Sequence, residues 1–442
     1  MNSALIFGGL IALMLTGMPI SIALGLTVLT FLFVMTQVPI EAVALKLFTG
    51  IESFEIMAIP FFILAGNFLT HGGVARRMIR FATTMVGHWY GGLGLAAVVA
   101  CALFAAISGS SPATVVAIGS ILLPAMVQAG YPKRFGAGVI ATSGALGILI
   151  PPSIVMVLYA VATSGSVAID PEGKRVLSAS VAQLFMAGVI PGLMLAFLLG
   201  LTTFYRAWKG KYPRMPKATW LEALTAFRDS IWGLLLIVLV LGGIYSGLFT
   251  PTEAAAVSAV YAFAVAVFVY RDMKLSNIPK VLLASANMSA MILYIITNAV
   301  LFSFLMTSEQ IPQSITAWAT SMGIGQIEFL LFVNILLLVA GNVMEPSSIV
   351  LITAPILFPV AIGLGVHPVH LGILMTVNME VGLCHPPVGL NLYVASGIAR
   401  MGITELTIAV WPWLLTMLCF LGVVTYVPEL SLWLPRTLGM LY

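Results

Sequence analysis

Charge is scarce in this chain: only 8% of its 442 residues are Asp, Glu, Lys or Arg. A large soluble helical protein needs a charged outer face on most of its helices, and that class is excluded. Cysteine is scarce too. Cys101, Cys384 and Cys419 lie far apart in apolar segments, which argues against a disulfide framework or a cysteine metal cluster. There is no HExxH and no phosphate-cradling GxxxxGK[ST], so no ATP hydrolysis by the chain itself is expected. The serines at 108 and 110 lack the nucleophile-elbow context, with an acid and a base, that a hydrolase requires. A transporter rather than an enzyme is the expectation. The net charge of +4 is too small for a nucleic-acid footprint.

Hydrophobic residues make up 61% of the chain. Apolar runs at 182–205, 231–249, 254–270, 329–344 and 406–427 each approach the roughly 20 residues that cross a bilayer as helix. The opening MNSALIFGGLIALML has neither a basic n-region nor a small-residue cleavage site, so it reads as a retained first span. The basic residues fall in clusters: 76–80, 133–134, 206–228 and 271–280. With Arg400 these hold 15 of the 19 Lys and Arg residues. The positive-inside rule places them in the cytoplasm, and puts both chain ends and the loops 163–180 and 366–370 outside. Residues 41–55 and 71–90 mix charged and apolar positions and suit helices lying on the membrane surface.

Two stretches break this pattern. GALGILIPPS (144–153) and MEVGLCHPPVGLN (379–391) each carry a double proline, Pro151–Pro152 and Pro386–Pro387, 235 positions apart. Proline removes a backbone donor and clashes with the preceding turn, so each span should break there. The same offset aligns SGSSPATVVAIGSILLP (108–124) with VMEPSSIVLITAPILFP (343–359), and Gly147 with Gly382. The chain reads as two repeats, 1–225 and 226–442. With an odd number of crossings in each, the second is inverted. Inverted repeats with broken helices mark a secondary transporter whose site lies near the midplane.

Non-helical backbone at membrane depth is tolerated where it lines a cavity or holds an ion. The stretch ISGSSPAT (107–114) and the breaks supply hydroxyl and carbonyl oxygens for a dehydrated cation such as Na⁺, and helix N-termini for a carboxylate. The competing explanation for the small residues is close helix packing. GNVMEPSS (341–348) repeats the arrangement and adds Glu345, an ionisable residue at membrane depth. Glu345 would help bind cation, carry a proton, or accept helix N-terminal amides. Glu380 and Glu253 read as interfacial or N-cap carboxylates, and His367 and His370 as solvated loop residues.

SGSSPATVVAIGSILLPAM, GALGILIPPS, GNVMEPSSIVLITAPILFP and HPPVGLNLYVASGIARMG together resemble the large membrane subunit of tripartite ATP-independent periplasmic (TRAP) transporters, of the C4-dicarboxylate type. PFFILAGNFLTHGG (60–73) fits as well. The resemblance implies an all-α polytopic protein of the bacterial inner membrane, with re-entrant hairpins and an elevator-type scaffold plus transport domain. The transport parts would be about 91–165 and 326–400. It implies Na⁺-coupled import of organic acids, with a small four-helix membrane subunit and a periplasmic substrate-binding protein as partners. Carried over by motif, the first Na⁺ site would use Ser108, Ser110, Gly147, Ile150 and Pro152. The second would use Gly341, Gly382 and the stretch from Cys384 and His385 to Pro387. Substrate would lie near Ser111, Thr114, Glu345, Ser347 and Ser348. One departure is His385, where the family usually has threonine. A self-sufficient Na⁺–carboxylate symporter, and a channel or passive scaffold subunit, are the alternatives.

Overall fold

The computed structural model describes residues 2–35, 38–164, 166, 168–342, 344–386 and 389–441. The first half runs α1 (Asn2–Leu15), α2 (Ile20–Met35), α3 (Ile40–Thr49), α4 (Ala58–His71), α5 (Val74–Val86), α6 (Gly92–Ser108), α7 (Ser111–Gln128), α8 (Lys133–Ser143), α9 (Ile154–Thr163) and α10 (Val181–Lys209). The second runs α11 (Trp220–Ile237), α12 (Gly243–Tyr245), α13 (Pro251–Ala264), α14 (Ile278–Ser308), α15 (Ile311–Ser321), α16 (Gln326–Gly341), α17 (Pro346–Gly363), α18 (Pro368–Cys384), α19 (Leu390–Ala399), α20 (Ile403–Tyr426) and α21 (Glu429–Thr437). Between α9 and α10 lies a two-stranded antiparallel ladder, β1 (Ala168–Ile169) with β2 (Arg175–Val176).

Among the described residues eight helices are long and apolar enough to cross a membrane. Two hairpins each join a shorter apolar helix to one of these. α6 and α7 form a hairpin whose tip is Gly109 and Ser110; α16, which ends at Gly341, and α17, which starts at Pro346, form another. Gly109 sits at φ +59°, a left-handed conformation that glycine adopts without a steric penalty. α9 and α19 have ten residues each, about 15 Å, half of a hydrocarbon core. Each therefore needs the half-helix before it to complete a crossing.

The two halves share an element order. α7 and α17 are both 18 residues long and start 235 positions apart, at Ser111 and Pro346. α3 and α4 of the first half occupy, at the same offset of 235, the positions that one 31-residue helix, α14, fills in the second. The segments 41–55 and 71–90 contain the short helices α3 and α5. α5 carries Arg76, Arg77 and Arg80, which reach across to the second half: Arg76 and Arg77 pair with Asp272, and Arg80 with Asp229 at 2.9 Å.

Two expectations need correction. His370 is not a loop residue: α18 begins at Pro368, so its first turn carries His370 inside, 1% exposed, with Thr425 O 3.3 Å from Nε2. His367 is the N-cap, its Nδ1 accepting from the Val369 amide at 3.2 Å. Glu380 is neither interfacial nor a cap, because α18 stays helical through Cys384 and holds Glu380 one turn inside its end, fully buried. Glu253 is the structural carboxylate of a capping box with Thr250.

Candidate functional site

The tip of the first hairpin lies directly on the first break. A methyl group on Gly147 would stand 2.6 Å from the Ser110 carbonyl oxygen, and one on Gly109 would stand 2.9 Å from that of Pro152. Only hydrogen at these two positions lets the strands approach so closely. The oxygens of Ser108, Ser110, Gly147 and Pro152 thereby come into one neighbourhood. Ser108 Oγ is 2.9 Å from Thr114 Oγ1, and Thr114 Oγ1 donates to the Ser110 carbonyl at 2.8 Å. Thr114 therefore belongs to this oxygen cluster. Ile150 sits in the break itself, its side chain against Gly192 of α10.

The second hairpin meets the second break through two glycines. A Cβ on Gly341 would lie 3.0 Å from the Cα of Gly382, and the converse distance is the same. The carbonyls of Leu383 and His385 converge on Gly389, 2.5 and 3.0 Å from where its Cβ would be. His385 Nδ1 is 2.9 Å from Asn342 Oδ1, which ties the break to the hairpin turn. Cys384 points its thiol to the Ala141 carbonyl at 3.3 Å, so its main-chain oxygen is the group left to the site. Pro387 lies outside the described residues.

Between the tips is a cavity of about 480 Å³. Ser110 and Ser111 of the first tip and Glu345 and Ser347 of the second line it, with Asn67 and Thr70 of α4 on the facing wall. Met288, Met291 and Ile292 of α14 complete that wall. Among the described residues no Lys or Arg lines the cavity. Its affinity for anions would come from the N-termini of α7 and α17, where unpaired amides and the helix dipole concentrate positive potential. Ser348 is fully buried behind the lining, its hydroxyl 3.4 Å from Glu345 Oε1.

Asn391 escaped the sequence reading. It is fully buried, and its Nδ2 donates to Ser111 Oγ at 2.7 Å and to the Ala141 carbonyl at 3.1 Å. It joins the first tip to the second break. A carboxamide at membrane depth in GLNLYV was the available signal. Glu380 is the other residue of note, with neither carboxylate oxygen hydrogen-bonded among the described residues.

Residues 7–430 match the family described as tripartite ATP-independent periplasmic transporter, DctM component. The chain belongs to this family. It is 74% identical over 440 residues to the C4-dicarboxylate TRAP transporter large permease protein DctM of Rhodobacter capsulatus, covering 100% of both chains. It is 54% identical to the protein of the same description from Pseudomonas aeruginosa, covering 95% of each. Among solved structures, the Alcanivorax borkumensis YdaH transporter superposes with a TM-score of 0.55 at 14% identity, over 86% of each chain. That likeness speaks to the fold: a helical transporter architecture. Family membership and the apolar spans make the chain a multi-pass protein of the bacterial inner membrane.

Proposed function

We propose that this chain is the permease through which C4-dicarboxylates enter the cell, driven by Na⁺ and moved by an elevator motion. The observation that carries the reading is the cavity where Ser110, Ser111, Glu345 and Ser347 face Asn67 and Thr70. It is walled on one side by hairpin tips and on the other by the long helices α4 and α14. Such a seam lets one side slide past the other with cargo at the boundary.

In this reading α6–α9 and α16–α19 form the moving body. α4, α13, α14 and the arms α3, α5 and α15 form the frame. Two Na⁺ ions are cargo. One is held by Ser108, Ser110, Gly147, Ile150 and Pro152, the other by Gly341, Gly382 and the main chain from Cys384 to Pro387. Neutral oxygens suit a dehydrated alkali cation, and the broken helices free them. Two cations beside the tips offset a substrate dianion in a cavity without basic side chains. That offset couples the gradients, because the anion enters favourably only with its ions bound. A periplasmic binding protein delivers the substrate, and the small four-helix membrane subunit braces the frame.

The test is to block the cavity without touching the ion ligands. Ala113 lines it. Ala113→Trp, reconstituted with both partners, is expected to abolish uptake of labelled succinate while binding Na⁺ and both partners as the parent does. Parental uptake by a folded Ala113→Trp protein contradicts this placement.

A further inference from the structure

A second cavity, of about 420 Å³, lies further along α14, toward its C-terminus. It too is walled by both bodies. Lys46 of α3, Ser303 and Thr307 of α14 and Gln313 of α15 face Ser164, just beyond α9, and Pro359 of α17. Lys46 is the one charged residue of this lining. Its Nζ stands 5.7 Å from the Phe304 ring centroid, which holds the ammonium beside α14. The other polar groups are hydroxyls, a carboxamide and main chain.

The two cavities are stations on one helix. Met288, Met291 and Ile292 of α14 serve the tip cavity; Ser303, Phe304 and Thr307 serve this one. The two linings come within one helical turn of each other, at Ile292 and Ile296, and the polar group Ser303 lies 12 residues beyond Met291, about 18 Å at 1.5 Å per residue. The clustered arginines after α4, with Arg271, Lys274 and Lys280 around the start of α14, put the tip cavity toward the cytoplasm and the Lys46 cavity toward the periplasm. Their chemistry is complementary. Among the described residues the tip cavity holds a carboxylate, Glu345, and no cationic side chain, and the Lys46 cavity holds a cation and no carboxylate.

We propose that the Lys46 cavity is an outer receiving site for one carboxylate of the incoming dicarboxylate. The inference rests on the transport reading above and adds a site to it. Lys46 pairs with the carboxylate, and Ser303, Thr307 and Gln313 donate hydrogen bonds to it. When the moving body rises, the tips come level with this end of α14 and take the substrate over. Lysine suits a site that must release: an ammonium is a compact, well-hydrated point charge, whereas the fork of arginine grips a carboxylate in two bonds. Partial exposure to water keeps the pair weak enough for hand-over.

The experiment uses the complete complex with its binding protein in proteoliposomes, and labelled succinate as probe. Lys46→Gln is expected to lower uptake at limiting substrate roughly tenfold. Lys46→Arg, which keeps the charge, restores most of it. A second measurement reads the site directly. In a Cys419→Ser background, which removes the exposed native thiol, Thr307→Cys is labelled from outside with an impermeant reagent. Succinate slows that labelling when Lys46 is present and not when it is Gln. Parental uptake by Lys46→Gln overturns the proposal, and so does succinate protection that survives Lys46→Gln. Loss of binding-protein capture with succinate protection intact also overturns it, by making Lys46 a docking residue. If the Lys46 parent itself accumulates no succinate, the transport reading has failed instead, and that is visible before any Lys46 variant is made.

Discussion

Gly341 and Gly382 approach so closely that a methyl group on either would stand 3.0 Å from the other's Cα. The atoms opposed are backbone, which cannot swing aside as a flexible side chain would. Gly341→Ala or Gly382→Ala must therefore part the second hairpin from the second break. Overpacking of this kind costs about 1–3 kcal/mol. Because the same contact shapes the proposed second ion site, the half-maximal Na⁺ concentration for uptake should rise by about tenfold per 1.4 kcal/mol. Unchanged Na⁺ dependence in both variants would mean that the glycines serve packing alone.

The proposed first ion site predicts a graded series. Ser108→Ala, Ser110→Ala and Thr114→Ala should each raise the half-maximal Na⁺ concentration. Ser108 and Thr114 remove hydroxyls 2.9 Å apart. Ser110 contributes its carbonyl to Thr114, which alanine keeps. Its variant therefore isolates the side chain, and the smallest effect belongs to it. Uptake titrated against Na⁺ at fixed substrate reads all three.

Asn391 predicts a stability effect. Asn391→Leu leaves Ser111 Oγ and the Ala141 carbonyl without their buried donor, at a cost of about 1–3 kcal/mol. Thermal unfolding of the purified protein in detergent should shift down accordingly. Cys384→Ala removes only a weak thiol bond to the same carbonyl and should shift it less.

His367 predicts a pH effect at the N-terminal end of α18. Burial, and then the nearby Arg436 charge, hold its pKa below the usual 6.5. The unfolded chain thus binds a proton that the folded one resists. The stability from a neutral His367 is fully present above about pH 6.5 and declines as pH falls through the window below it. Protonation would also remove the Nδ1 acceptor used by the Val369 amide. His367→Asn keeps a cap without a titration, so its unfolding midpoint should lose this part of the acid slope. Identical slopes for both proteins would place the acid sensitivity elsewhere.

The large features were legible in sequence because they rest on backbone chemistry. Pro151–Pro152 and Pro386–Pro387 had to interrupt helices. SGSSP and MEPSS had to start them, with proline at the first turn of α7 and α17. What the sequence hid depends on which face of a helix meets which neighbour. Glu380 looked interfacial because Gly382 and the double proline follow it, yet the helix persists through Cys384. His370 looked solvated because HPVH falls in an expected outer loop with an intervening proline. Only the packing of α21 and α20 against α18 shows why it is buried, with Ser431 3.4 Å from Nδ1. Thr114 and Ser348 were grouped with Ser111 and Ser347 by motif resemblance. Helical periodicity turns Thr114 toward Ser108 and Ser348 away from the cavity.

The central claim is that Na⁺ binding at the two breaks drives a dianion into the cavity between the tips. The most direct test is uptake of labelled succinate by the reconstituted permease, small subunit and binding protein under an inward Na⁺ gradient. Succinate should accumulate inside above its outside concentration. A Na⁺ ionophore added at the plateau should release it, and a proton ionophore should not. Omitting the binding protein should abolish accumulation. Accumulation indifferent to the Na⁺ ionophore, or flux that never saturates and never exceeds equilibrium, would contradict the account.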